Sequence, residues 1–268
     1  MKKILSIFFI LTMTGLVIFT FIGCDCDDDC ILYLENNPPP TPQGVYSITA
    51  DEEIFLFWRP IDDVNGDFSH YIVYRSDFDP DTGYWAIGTT TDTFFIDDQV
   101  DNGYTYYYAV SSIDYDGNLS ALSYEYVYDT PRPEGFGERI YTMETEPDNS
   151  GWYLYGEYRL AWDDPDCDFY LDEDNGVLYL NVGDDLTDIQ DMGYTTSFDE
   201  ITYSPPADSG WSANGWVEVI LDHTYVIWTS NNHFAKVRVT EVNADNILFD
   251  WGYQVSQGNR ELKANPGA

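Results

Sequence analysis

Positive charge is scarce in this chain. Lysine and arginine together number 11, against 48 aspartates and glutamates, for a formal net charge of −37 over 268 residues. A field of that sign repels phosphate backbones and anionic lipid surfaces, which argues against a nucleic-acid partner. Histidine is nearly missing as well, at His70, His223 and His233, and the chain has no Gly-x-Ser-x-Gly, His-Glu-x-x-His or phosphate-binding glycine loop. Carboxylates are so plentiful that no acid and base pair stands out. The expectation is a protein that is not an enzyme and carries no cofactor. Helical periodicity is also rare: residues 185–192, with Leu186 and Ile189 three apart, form the one stretch that reads as a short helix. Aromatic residues, by contrast, are abundant. With 23 Tyr, 15 Phe and 8 Trp the chain has ample apolar area to bury, so the acidity does not imply disorder.

The first residues set the location. Lys2 and Lys3 precede an uncharged apolar run over residues 4–22, then Gly23-Cys24, the pattern of a secretory signal. Phe21-Ile22-Gly23-Cys24 resembles a bacterial lipobox, although Leu is usual where Phe21 stands and Ala or Ser where Ile22 stands. The resemblance implies that residues 1–23 are removed and that Cys24 is lipidated and becomes the mature N-terminus. Loss of Lys2 and Lys3 would take the net charge from −37 to −39. The alternative is an uncleaved span, since ~19 apolar residues can cross a bilayer and the two lysines would hold its start in the cytoplasm. Either way, the rest of the chain lies outside the cytoplasm, with the membrane as a partner through its N-terminus.

Residues 24–41 read as a tether. Asp25-Cys26-Asp-Asp-Asp-Cys30 cannot bury a core, and Pro38-Pro39-Pro40-Thr41-Pro42 extends the backbone as polyproline II. The acids after Cys24 resemble an export signal that sends lipoproteins to the surface in some bacteria and retains them in others, which leaves periplasm and cell exterior both open. With Cys24 lipidated, Cys26, Cys30 and Cys167 remain, an odd number in an oxidising compartment, so one disulfide and one leftover thiol are expected. A metal site on Cys-x-Cys-x-x-x-Cys would lack a nearby histidine and lose Cys24 to lipid, so no metal site is expected.

From residue 45 the pattern becomes short alternating strands between Gly, Asp, Asn and Pro. Pro42-Gln-Gly-Val45, Ile54-Phe-Leu56-Phe-Trp58-x-Pro60, Tyr71-Ile-Val73-Tyr-Arg75-Ser76, Asn102-Gly-Tyr-Thr-Tyr106-Tyr-Tyr108-Ala-Val110 and Asp114-Tyr-Asp-Gly117-Asn118-Leu-Ser120 follow one another in order. Together they resemble a bacterial fibronectin type III module, placed at residues 42–130. Alternation predicts Ile54, Leu56, Trp58, Tyr71 and Val73 in its core, with Tyr106, Tyr108 and Val110 sharing one parity. The resemblance implies that Tyr106 is the tyrosine corner. Asp116-Gly117 reads as a tight turn. Asp77-Phe-Asp79-Pro-Asp81-Thr-Gly83 has the alternation of a calcium loop, but counted from Asp77 the EF-hand positions for Gly and Glu hold Thr82 and Gly88, so it reads as a solvated turn, with calcium at an acidic loop left open.

Residues 131–137, with two prolines and two glycines, read as a linker, and residues 138–268 as a second domain. Strand-like runs at 139–145, 152–162, 167–171, 177–182, 216–221, 223–229, 234–242 and 247–255 suggest a β-sandwich or jelly-roll-like barrel. Asp172-Glu-Asp-Asn175-Gly176 and Ser230-Asn231-Asn232 read as hairpin tips. The fold class is therefore all-β: an immunoglobulin-like sandwich of the fibronectin type III kind, then a second β domain. The leading functional expectation is a non-catalytic, lipid-anchored envelope or surface protein, with the first module as spacer and the second as an interaction domain. The alternative is carbohydrate binding through Trp152, Trp162, Trp211, Trp216, Trp228 and Trp251, where an exposed coplanar row would favour sugar and buried rings packing. The ligand-binding residues are otherwise unassigned. The hairpin from His223 to His233 also loosely resembles hairpins of haem-capturing surface lipoproteins, with those two histidines as the would-be ligands.

Overall fold

Seven antiparallel strands build the first sandwich: β1 (Gln43–Thr49), β2 (Ile54–Arg59), β3 (Phe68–Ser76), β4 (Trp85–Thr90), β5 (Phe94–Asp97), β6 (Tyr106–Asp114) and β7 (Val127–Asp129). The computed structural model describes residues 37–63 and 66–262; the signal segment 1–23, Cys24, Cys26, Cys30 and the start of the tether lie outside them. A three-stranded sheet, β1-β2-β5, faces a four-stranded one, β4-β3-β6-β7. Ile54, Leu56, Trp58, Tyr71 and Val73 are all buried between them, as strand alternation requires. The Trp58 ring meets Tyr71 edge-on at 5.3 Å. Tyr106 Oη accepts a hydrogen bond from the Asp101 N–H at 3.0 Å, closing the corner. The turn after β6 is held by the Asp114 carboxylate, which accepts from the N–H groups of Asp116 and Asn118, while Gly117 supplies the positive φ (+89°). In the acidic stretch after β3, Asp79 Oδ1 accepts from the Asp81 and Thr82 N–H groups, as a self-closed turn does.

Ten strands make the second sandwich: β8 (Glu134–Tyr141), β9 (Gly151–Tyr153), β10 (Tyr158–Leu160), β11 (Phe169–Asp174), β12 (Val177–Val182), β13 (Asp188–Tyr194), β14 (Trp216–Glu218), β15 (His223–Trp228), β16 (Phe234–Val242) and β17 (Asn246–Gln254). They form two five-stranded sheets, ordered β10-β9-β11-β12-β14 and β13-β15-β16-β17-β8. Trp152, Phe169, Leu171 and Leu180 from the first meet Ile189, Tyr225, Ile227, Val237, Phe249 and Trp251 from the second in one core. The chain is all-β, as expected. Asn175 (φ +53°) and Gly176 (φ +84°) make the two-residue turn between β11 and β12, the left-handed pair that the twist of a hairpin favours.

The two sheets differ on their outer faces. Over β15 and β16, Val226 and Phe234 are covered by Ile201, Trp211 and Leu262, so this sheet is packed on both sides. Four consecutive residues of β15, Thr224 to Ile227, are accordingly buried. The outer face of the other sheet is bare and reads as strict alternation, with Phe169 and Leu171 inward and Tyr170 and Asp172 outward.

Three sequence expectations are corrected. Residues 185–192 are not helical: Asp188 to Asp191 pair with Trp228 to Tyr225 as β13, because Ile189 alone enters the core and the ladder with β15 outweighs two apolar residues at helical spacing. The tether does not stay free to residue 41, since Pro39 is buried and Ser112 Oγ donates to the Pro40 carbonyl at 2.7 Å. Residues 131–137 are not a solvated linker. Glu134 to Gly137 already belong to β8, and Pro131, Arg132 and Pro133 are buried.

That short connection is pinned from both sides. The Gly103 N–H donates to the Pro131 carbonyl, the Arg132 N–H to the Ala50 carbonyl, and the Tyr253 N–H to the Pro133 carbonyl. Around it lies a buried charged cluster of Asp129, Arg132 and Glu261, with Glu134 at its margin. Arg132 Nη2 is 3.3 Å from Glu134 Oε2, and the Arg132 guanidinium and Lys236 Nζ lie 5.9 and 3.9 Å from the centre of the Phe198 ring. A Cβ at position 252 would sit 2.9 Å from Arg132 Nε, so only glycine there lets the guanidinium lie against the strand. Burial, then the charge of Asp129, pushes the Glu261 carboxyl up to about 8, and burial raises Asp129 to about 6 against the pull of hydrogen bonds and Arg132.

Candidate ligand-binding face

On the bare sheet, cross-strand register assembles a patch from residues distant in sequence. Tyr170 stands opposite Asn181, and Asn181 opposite Trp216; one step along, Asp172 stands opposite Tyr179, and Tyr179 opposite Glu218. All of these lie on the outward parity of β11, β12 and β14, because the intervening Leu171, Leu178 and Leu180 fill the core. Trp162, from the loop after β10, packs against Tyr170 at 5.8 Å with a 50° tilt. Tyr179 and Trp216 meet at 5.0 Å and 81°, two walls of a corner. Trp216 is 43% exposed and Trp162 36%.

The corner opens into a cavity of about 280 Å³ lined by Asp172, Asp174, Tyr179, Asn181 and Trp216. A second hollow of about 360 Å³ shares Asn181 and continues past Tyr170 to Asp184, Asp185, Asp188 and Asn214. Neither lining contains a lysine or arginine. Slight desolvation of the exposed Glu144, with the charge of Asp172 and a side-chain hydrogen bond to it, raises the Glu144 carboxyl above its ordinary range despite a backbone hydrogen bond that favours its ionised form. Negative charge at this end of the sheet therefore sits beside negative charge.

The tryptophans named from the sequence divide. Trp152 and Trp251 are core residues, packed on one another at 5.8 Å. Trp211 and Trp228 cover the opposite sheet, 5.8 Å apart, with their indole N–H groups donating to the Pro206 carbonyl and to Asn232 Oδ1. Trp162 and Trp216 alone of the six stand exposed on the bare sheet, and each is tilted against its neighbour, Trp162 by 50° from Tyr170 and Trp216 by 81° from Tyr179. Tyr170 and Tyr179 complete the patch and were not singled out from the sequence. Alternation within β11 and β12 places them outward, but the register that joins them to β14 is set only by folding.

The histidine pair does not converge. His223 begins β15 and His233 sits in the turn after it, so a six-residue strand of ~17 Å separates them. His223 Nδ1 lies 3.0 Å from Asp191 and His233 Nδ1 3.0 Å from the Gln254 carbonyl, which rules out the shared haem pocket. His70 Nδ1 is 3.0 Å from Ser69 Oγ. Cys167 is a buried free thiol whose Sγ donates to the Phe169 carbonyl, and burial pushes it up to about 12.

No protein-family model matches the chain, and no curated protein does. Among solved structures it is similar to an Fn3-like protein from Clostridium thermocellum, 27% identical over 36% of this chain and 98% of that one, with a TM-score of 0.29. A β-1,2-glucanase from Parabacteroides distasonis is 25% identical over 36% of this chain but 13% of its own, at 0.30. A DUF4466 family protein from Parabacteroides merdae is 11% identical over 83% of this chain and 95% of its own, at 0.41. The structural neighbours thus include Fn3-like proteins, at low TM-score and over about a third of the chain.

Proposed function

We propose that this chain is a non-catalytic protein of the bacterial cell envelope, anchored by lipid on Cys24, in which a fibronectin type III spacer carries a second sandwich as the recognition domain. The observation that supports a recognition role is the asymmetry of that sandwich: one sheet is covered on its outer face, while the other leaves Trp162 and Trp216 exposed, with Tyr170 and Tyr179 half-buried between them, beside two hollows. Aromatic side chains grouped on one sheet face and left open to solvent are a costly surface unless they meet a ligand. The short, buried connection at Pro131 to Pro133 suits a spacer that holds its partner in a fixed attitude. The anchor is tested by mass spectrometry of the membrane fraction: a mature chain beginning at acylated Cys24 is expected, and recovery of a chain still starting at Met1 would refute it.

Carbohydrate binding is the second reading, favoured by the four rings on one face, since sugar rings stack on aromatic faces. Their 50° and 81° tilts weigh against a long flat platform. A glycan array probed with the mature protein tests it, with Trp162→Ala expected to abolish any signal that depends on this face.

A further inference from the structure

We infer that the Trp216–Tyr179 corner is a binding site for an alkylammonium group. This rests on the reading of the bare sheet as the recognition face, and it names the chemistry that the corner selects.

Shape comes first. Two aromatic rings at 81°, with centres 5.0 Å apart, present two walls rather than a plane. A flat sugar ring stacks on one face at a time. A tetrahedral ammonium with its methyl or methylene groups touches both walls of a corner, and the negative faces of the rings attract it. Trp is the strongest of the aromatic partners in such contacts, and Trp216 is open to solvent here. The cavity, about 280 Å³, lies at the lower edge of the ~300–1,000 Å³ typical of small-molecule sites, which suits a single headgroup or one residue of a longer ligand.

Charge points the same way. Asp172 and Asp174 line the cavity, Glu218 stands opposite Tyr179, and no basic side chain lines it. Among the described residues, none of the ion pairs uses Asp172, Asp174 or Glu218. Asp172 Oδ1 accepts from the Glu173 N–H and Asp174 Oδ1 from the Asn175 amide, and their charge, with the chain's net charge of −37, attracts a cation and repels an anionic ligand. Asn181, opposite Trp216, adds an amide that can orient a hydroxyl or carbonyl next to the ammonium group.

Calorimetric titration of the full mature chain with choline, beside its uncharged carbon isostere 3,3-dimethyl-1-butanol, tests the assignment. Choline is expected to bind in the millimolar range, to change tryptophan fluorescence and to weaken as salt is added, while the isostere binds at least about tenfold more weakly. Trp216→Leu keeps apolar bulk but removes the π face and should cost about tenfold in affinity; Asp172→Asn with Asp174→Asn should weaken binding and flatten its salt dependence. Trp216 lies exposed on a three-residue edge strand, so the variant should keep the thermal midpoint of the parent. Once choline binds, trimethyl-lysine and phosphocholine, as further arms, tell a side-chain source from a lipid headgroup by which of them binds more tightly through Trp216. Equal binding of choline and the isostere, unchanged binding by Trp216→Leu, or no binding of choline would each overturn the proposal. A positive glycan array together with a choline blank would leave the recognition face standing and remove the cation site alone.

Discussion

Replacing Glu261 by glutamine should make the protein more stable near neutral pH and leave it almost unchanged in mild acid. The folded state holds the Glu261 carboxyl at about 8, against an ordinary value of 4.5, through burial and the neighbouring Asp129. Between those two values the folded chain keeps a proton that the unfolded chain has released. Stability therefore falls as pH rises across this window: the contribution is fully present below about 4.5 and is lost as pH approaches about 8. About three and a half pH units at ~1.4 kcal/mol each set a ceiling of ~5 kcal/mol, and water entering the junction as the group ionises should reduce this to ~2 kcal/mol. Asp129, raised to about 6, adds a change of the same sign over its own window. The glutamine of the Glu261→Gln variant carries no charge at any pH, yet its amide oxygen can still accept from Thr130 Oγ1, as Glu261 Oε2 does at 3.1 Å. Urea melts at about pH 5 and about pH 8, for parent and variant, isolate the effect as a difference of differences. Parallel curves, with the same gap between the two proteins at both pH values, would refute the buried-proton account of the junction.

Two further outcomes follow from the packing. Trp58→Ala should destabilise the first sandwich by ~3–5 kcal/mol in urea melts, through lost apolar burial and the cavity left beside Tyr71; a loss below ~1 kcal/mol would contradict its place in the core. Cys167 should react with a disulfide reagent only when the protein is unfolded, because burial both shields the thiol and keeps it protonated; fast labelling of the native chain would disprove this.

Much of this was legible before folding, for reasons that can be assigned to residues. Ile54, Leu56 and Trp58 alternate with half-exposed neighbours because one face of β2 meets a core and the other does not, and period-two patterning survives in the sequence wherever that holds. Asn175-Gly176 was readable because its turn demands left-handed backbone that few other residues supply. The failures are equally local. Leu186 and Ile189 mimic a helix over a single turn, too short a window for periodicity to outvote the ladder with β15. Pro131-Arg132-Pro133 has the composition of an exposed linker, while its partners, Ala50, Gly103 and Tyr253, are scattered along the chain, so nothing local marks the arginine as buried. The Trp216–Tyr179 corner belongs to the same class. Each ring is visible as an outward residue of a strand, but their meeting depends on the pairing of β14 with β12.

The unequal covering of the two sheets in the second sandwich also sets how the molecule breathes. Amide protons of β15, β16 and the middle of β17, hydrogen-bonded within a sheet packed on both sides, should exchange with solvent only through global opening. β14 has three residues, pairs on one side and has solvent above it, so its protons should exchange through small local openings. The aromatic corner is thus built on a strand whose local opening is expected to cost less than opening of the doubly covered sheet. A bound ligand that clamps Trp216 to Tyr179 would slow exchange along β14 and β12 first, leaving the doubly covered sheet as it was.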